Sequence, residues 1–376
     1  MLAVVNAVLV MRDHLIPDGV LLSDGGKIVG VGARRDVDVP AGCEVVDARG
    51  KFVGPGLIDM HTHAAGGKYF FEDPAYCART VLEHGVTGVL PALYFNMTKP
   101  EYLGAMEKIR EAACPNILGL YMEGPYLNPK FGCDRENNPW RGPIRREDYM
   151  EIVEAARDMA RAWAVAPERE GIAEFCEDVA AAIPGIAFTV AHSEASPEQI
   201  ERLIPLGLKI GTHHTNATGD LPKYPECRGV CVDEVVNFRD DIFAELIVDR
   251  MGIHVAPYML RLVKKIKGER RIVLISDACV FDGPVPPGYD GADDINFDFE
   301  GEIAGSKLTL DVACRNMMVH TGCSIVDAFR YASRNPAEAL GLRAKGELRI
   351  GFDADCAIVD NWMNVEGVIL KGEIVS

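Results

Sequence analysis

The chain is short of positive charge. Its 376 residues carry 39 Lys+Arg against 56 Asp+Glu, a formal net charge of −17. A protein that grips a phosphate backbone needs a basic face to displace counterions, so nucleic-acid binding is excluded. Small anions are not excluded, because one placed Arg or His can hold a phosphate on an acidic protein. Long apolar runs are missing as well. None approaches the roughly 20 residues of a membrane-spanning helix. The apolar opening Met1–Met11 has no basic residue before it and no small-residue cleavage site after it. It runs into a strand–turn–strand pattern from Asp18 to Gly32 and reads as a first β-strand rather than a signal peptide. Paired cysteines are also absent. The 11 Cys are scattered with no CxxC, which fits reduced thiols and a cytoplasmic location better than a disulfide framework. Cys227 and Cys231 are close but lack the partners of a zinc knuckle. No internal repeat and no low-complexity linker interrupts the chain.

What is present is a globular mix, 48% hydrophobic and 25% charged. Residues 1–50 alternate short apolar runs with Gly and Asp turns, an all-β texture. From Lys51 short apolar strands alternate with amphipathic stretches such as Pro74–His84, Arg146–Arg161, Ile172–Ile183 and Pro197–Leu206. That is the βα pattern of a parallel sheet. Strands are expected at Phe52–His61, Val86–Ala92, Ile117–Glu123, Ala162–Pro167, Ala187–Ser193, Leu208–His214, Phe243–Asp249 and Ile272–Asp277. Such a series fits an α/β fold of the (β/α)8 TIM type better than an open sheet. From Asp353 the texture turns β-like again. The expected organisation is therefore a barrel over 52–344 and a small β-sandwich assembled from 1–51 and 345–376.

The 9 His are few, and His14, His84 and His320 are the only ones outside the segments that follow. His61 and His63 follow the first expected barrel strand, Glu123 ends the third, His192 the fifth, His213 and His214 the sixth, and Asp277 the eighth. In a barrel these ends converge on one face, which carries the active site. Residues spread from His61 to Asp277 would then share one cleft. Two imidazoles two apart on a strand point to the same side, as chelation requires. HxH alone is a weak signal; with three further His/Glu donors at converging ends it becomes a metal site. Imidazole and carboxylate without thiolate suit zinc first, with iron, manganese or cobalt as alternatives. Glu123 offers two oxygens and could bridge two ions. Asp277 could cap a following helix; beside a metal it could move a proton between water and a leaving nitrogen. Asn216-Ala-Thr-Gly219 reads as a turn or as an amide and backbone N–H groups facing a substrate oxygen. Arg228 and His254 are basic groups on loops over the same face.

These residues stand in segments that resemble the amidohydrolase superfamily, and within it the N-acetylglucosamine-6-phosphate deacetylase family. The motifs are Gly54-Pro-Gly-Leu-Ile-Asp-Met-His-Thr-His63 with Gly66-Gly67, Met122-Glu-Gly-Pro-Tyr-Leu-Asn-Pro129, Val190-Ala-His-Ser-Glu-Ala195 and Thr212-His-His-Thr-Asn-Ala217. They continue with Glu245-Leu-Ile-Val-Asp249, Gly252-Ile-His-Val255, Ser276-Asp-Ala278, Ile303-Ala-Gly-Ser306, Ser333-Arg-Asn-Pro-Ala337 and Gly351-Phe-Asp-Ala-Asp355. The resemblance implies that Glu123, His192 and His213 hold the principal metal, with His213 chosen over His214 because the family's ligand stands three residues before the Asn. It implies that His61 and His63 serve a second ion with Glu123, giving one or two ions per subunit. Asp277 would be general base and then acid. Asn216, Ala217, Arg228, His254 and Cys133 would face the sugar phosphate, and Ile303, Ala304 and Gly305 would cover the sugar. The family's phosphate-binding Arg reaches in from a neighbouring subunit, which implies a homodimer.

Two segments depart from the family. Its Lys-Gly-x-His with Asn-Pro following becomes Lys130-Phe-Gly-Cys-Asp-Arg-Glu-Asn-Asn-Pro139 here, with the substrate-contacting His replaced near Asp134. Its Arg-Glu-Pro-Gly becomes Glu226-Cys-Arg-Gly229. The expected function is metal-dependent removal of acetyl from an N-acetyl amino sugar phosphate, N-acetylglucosamine 6-phosphate first among them. The nearest alternative is the same chemistry on an N-acyl amino acid, an unphosphorylated N-acetyl sugar or a cyclic amide. A non-catalytic metal-binding barrel is the remote one.

Overall fold

The computed structural model describes residues 1–221 and 223–375. In chain order its strands are β1 (Leu2–Val10), β2 (Leu15–Asp24), β3 (Lys27–Ala33), β4 (Glu44–Asp47), β5 (Phe52–Pro55), β6 (Leu57–Thr62), β7 (Ala64–Ala65) and β8 (Lys68–Tyr69). Then come β9 (Val86–Leu93), β10 (Leu120–Met122), β11 (Ala160–Val165), β12 (Ala187–Val190), β13 (Leu208–Gly211), β14 (Phe243–Ile247) and β15 (Ile272–Ile275). The last are β16 (Ile295–Phe297), β17 (Ile303–Ser306), β18 (Cys356–Val359), β19 (Val365–Leu370) and β20 (Glu373–Ile374).

The barrel is an eight-stranded sheet in the order β15-β14-β13-β12-β11-β10-β9-β6, parallel throughout. Past the strand ends the seam between β15 and β6 is bridged by Asp277 N–H donating to His61 O at 2.9 Å and Ser276 N–H donating to Asp59 Oδ1 at 3.3 Å. Helices at Pro74–Glu83, Lys99–Ala112, Arg146–Ala156 and Ile172–Ala182 cover the outside. With both faces covered the strands read as continuous apolar runs, and every residue of β9 is buried. Alternate residues feed two cores. Along β11 the small Ala162 and Ala164 fill the interior with Met60, Tyr121 and Phe243. Trp163 between them packs outward with Phe175 and Val179 of a helix.

Both chain ends build a separate sheet, in the order β20-β19-β18-β5-β1-β2-β3, with β4 also on β1. The long β1 is the branch point: Leu2–Val5 pair with β4, and Val8–Leu9 pair with β5. Register shifts in the β1–β2 pairing separate these two stretches.

The expected first barrel strand over 52–61 is in fact two. Phe52–Pro55 pairs with β1 and β18 in the terminal sheet, and only Leu57–Thr62 belongs to the barrel. The chain changes sheets at Gly56, whose N–H donates to Asp355 O at 2.8 Å. A Cβ there would meet Thr87 Oγ1 at 1.9 Å, so the crossing needs glycine. We propose Gly56 as the seam between the two units. Most other barrel strands stop short of the expected ends. At β12, β13 and β15 the cause is local: His192, His213 and Asp277 just beyond them adopt left-handed backbone, with φ of 43°, 27° and 46°, which breaks a ladder and is strained for residues other than glycine. Asp277 caps no helix; among the described residues the next one begins at Leu310. No helix among them is long and apolar enough to cross a membrane.

Candidate metal centre and active site

The strand ends bring His61, His63, Glu123, His192, His213 and Asp277 together, all buried. Glu123 lies at the middle. Its Oε1 is 3.0 Å from His192 Nε2 and 3.5 Å from His213 Nε2. Its Oε2 is 3.2 Å from His63 Nε2. Two donor groups therefore share one carboxylate: Glu123 with His192 and His213, and Glu123 with His61 and His63. Asp277 Oδ1 is 3.3 Å from His63 Nε2 and 3.7 Å from His61 Nε2.

These donors fit a divalent cation. His61 Nε2 is buried with no hydrogen-bond partner, and buried polar atoms are normally satisfied. The imidazoles are also oriented from behind. His61 Nδ1 faces Glu245 Oε2 at 3.2 Å, His63 Nδ1 faces Ala92 O at 3.2 Å and His213 Nδ1 faces Asn216 O at 3.2 Å. Tyr121 stacks on His61 with ring centroids 4.2 Å apart, and its hydroxyl is held by Thr189 and Thr212. Burial would raise the Glu123 carboxyl, but hydrogen bonds from His192, His213 and His63 outweigh it and hold it well below the usual carboxylate range. Burial opposes charge on His63 and His213 as well, yet the Asp277 and Glu123 carboxylates push His63 up to about 10, and Glu123 foremost pushes His213 up to about 9. A cation competes with those protons, so metal binding is acid-sensitive.

His214 turns away from the cluster. Its Nε2 faces Asn237 Oδ1 at 3.1 Å, and burial pushes its pKa down to about 4. An unfolded His titrates near 6.5, so the unfolded chain binds this proton more readily. The stability due to a neutral His214 is full above about pH 6.5 and is lost as pH falls towards 4. Thermal melts across that window are expected to be steeper for the wild type than for His214→Gln, by about 2–3 kcal/mol at the acid end. Parallel curves would contradict it.

The cluster lies at one side of a cavity of about 510 Å³, which Asn216, Ala217, His254, Cys133, Ile303, Ala304 and Gly305 also line. Two of these offer unused polar atoms: Asn216 Nδ2 and His254 Nε2 are buried without partners. His254 is fixed by Asp249, whose Oδ2 accepts from the His254 N–H at 2.8 Å and faces Nδ1 at 3.3 Å. Arg228 is the exception. It does not line the cavity; its side chain is 75% exposed and its Nη2 pairs with Glu234 Oε1 at 2.7 Å. Glu234 caps the helix Val232–Phe238, and this local pair holds Arg228 on the surface of its own chain.

Sequence reasoning missed Glu245 and Asp249 as the acids behind His61 and His254. The signal was there, in two acids within and just after the apolar strand β14. It also missed Lys130, Arg135 and Glu302, which line the cavity.

With this geometry in view, comparison with known proteins is informative. The amidohydrolase family profile matches residues 52–375. The chain belongs to the amidohydrolase family. It is 28% identical over 361 residues to an N-acetylglucosamine-6-phosphate deacetylase of Lysinibacillus sphaericus, covering 89% of this chain and 88% of that one. The solved N-acetylglucosamine-6-phosphate deacetylase of Pasteurella multocida superposes with a TM-score of 0.85 at 27% identity, over 99% of this chain and 98% of that one. An Asp-to-Ala variant of the Mycobacterium smegmatis enzyme, solved with N-acetyl-D-glucosamine-6-phosphate, gives 0.84 at 26% identity, over 100% and 99%. The family and the buried His and Glu donors together mark a divalent-metal site.

Proposed function

We propose that the chain is a metal-dependent deacetylase that converts N-acetylglucosamine 6-phosphate to glucosamine 6-phosphate and acetate. The observation that carries the reading is Asp277 set 3.3 Å from His63, against a shared-carboxylate metal centre that opens on a cavity of sugar-phosphate size. The similarity to deacetylases over most of the chain supports the substrate.

Glu123, His192 and His213 would hold the principal ion, and His61 and His63 a second one with Glu123. Zinc is our assignment, with iron, manganese and cobalt as ions that accept the same donors. When bound, the cation supplies Lewis acidity to the acyl oxygen and lets a water lose its proton near neutral pH. Asp277 is the group that moves protons. Burial would raise its carboxyl, but His61 and His63 hold it below the usual range, so it stands ionised as a base. It takes the proton from the attacking water and returns it to the amine nitrogen as the C–N bond breaks. Asn216 Nδ2 donates to a sugar or phosphate oxygen, and His254 Nε2, with Nδ1–H turned to Asp249, accepts from a sugar hydroxyl. The segment Ile303–Gly305 covers the sugar, and Gly305 lies so close to Asp277 that a Cβ would meet Asp277 O at 2.6 Å. Arg228, exposed on its own chain, would serve the site of a second subunit in a homodimer. All 11 Cys are free thiols, which supports a reducing, cytoplasmic setting.

The test is a substrate panel. Acetate release is expected from N-acetylglucosamine 6-phosphate well ahead of the unphosphorylated sugar and N-acetyl amino acids. Turnover of the amino acids alone would favour the other reading, whose support is the altered segment 131–135 and the absence of Arg228 from the cavity.

A further inference from the structure

A second cavity, of about 380 Å³, lies among the loops that follow β9 and β10. Among the described residues it shares no lining residue with the metal cavity. Lys99, Tyr126, Trp140, Arg145 and Asp148 line it. Two helices start there. The helix Lys99–Ala112 is already closed by Glu101, whose Oε2 accepts from the Thr98 N–H at 2.7 Å. The helix Arg146–Ala156 has no side chain capping its first turn. Its leading N–H groups and the positive end of its dipole are left for an anion.

A buried side chain at the same place lacks a partner. Tyr126 is 2% exposed, its ring held edge-on against Trp140 and Phe175. Its hydroxyl ends beside the Arg145 main chain, and nothing accepts its proton. A buried hydroxyl normally finds an acceptor. The cations nearby are available as well. Arg146 is engaged by Asp178 at 2.9 Å, whereas Arg145 has no ion-pair partner among the described residues and lines the cavity. Lys99 Nζ donates to Glu147 O at 3.2 Å and stands 3.9 Å from Glu151 Oε2, which leaves an ammonium with donors to spare.

We propose that this cavity is a second binding site, separate from the catalytic one, for the phosphate monoester of a hydroxylated molecule such as a sugar. Phosphate oxygens accept from the Tyr126 hydroxyl, the Arg145 fork, the Lys99 ammonium and the uncapped helix end together. Asp148, the acid in the lining, repels the phosphate itself and accepts from a hydroxyl beside it. Pro139, Trp140 and Pro143 supply an apolar wall for the carbon skeleton. The proposal does not rest on the deacetylase reading.

Trp140 is a reporter inside the cavity. The test titrates a hexose 6-phosphate and inorganic phosphate into the zinc-loaded protein, followed by tryptophan emission and by calorimetry. A saturable change in emission is expected, and Trp140→Phe should remove most of it although Trp163 and Trp362 remain. Arg145→Gln is expected to raise the midpoint by about tenfold, and Tyr126→Phe by about threefold. Asn216→Ala, which alters the metal cavity, should leave it in place. A lower midpoint for the hexose phosphate supports the sugar ester as occupant; equal midpoints support free phosphate at the same site. No saturable change in emission or heat overturns the proposal. So does a midpoint that ignores both Arg145→Gln and Tyr126→Phe, or one that moves in Asn216→Ala alone.

Discussion

Asp277→Asn is expected to cut turnover of the sugar phosphate by about 10³–10⁴-fold while the protein keeps its principal metal. The substitution preserves shape and one carbonyl oxygen, but an amide cannot take a proton from water. In the mechanism proposed above this carboxylate acts twice, as base towards water and as acid towards the amine, so both halves fail together. The site cannot lend a substitute. His63 and His61 stand 3.3 and 3.7 Å from Asp277 Oδ1, but the proposed mechanism uses both as metal donors. The donors of the principal ion, Glu123, His192 and His213, are untouched by the change. Metal analysis beside an acetate assay checks the two halves of this expectation. Near-normal turnover would assign proton transfer to another group.

Glu123→Gln should do the reverse and fail at the metal. Glu123 is the one residue shared by both donor groups. Its two oxygens face His192 and His213 on one side and His63 on the other. Glutamine replaces one oxygen with an NH₂ group that donates towards nitrogens whose lone pairs a cation needs. Changing a residue that merely orients a ligand weakens metal binding 10–100-fold, so losing this ligand is expected to cost at least about 100-fold. After gel filtration the variant should carry little metal and show no measurable turnover. Retention of stoichiometric metal with activity would remove Glu123 from the centre.

The barrel was legible in the sequence because its strands are covered on both faces. Continuous apolar runs such as Val86–Leu93 stand out between amphipathic helices. The site was legible for the same reason, since polar residues that end such runs have nowhere to point but the common face. What the sequence hid follows from geometry. Phe52–His61 reads as one strand because both halves are apolar, and only the contact of Gly56 with Thr87 reveals the change of sheet. The ends of β12, β13 and β15 were overrun because left-handed backbone at His192, His213 and Asp277 leaves no mark in residue type. Arg135 gave no signal in the sequence, because its partner Glu302 lies 167 positions away. Arg228 was expected at the substrate from the family resemblance, whereas its local pair with Glu234 holds it on the surface of its own chain.

The measurement that bears most directly on the account is acetate release from N-acetylglucosamine 6-phosphate as zinc is titrated into chelator-stripped protein. Activity should be absent at the start and rise in proportion to bound metal until the centre is filled. Full activity in the stripped protein, or a loaded protein that releases no acetate, would contradict it.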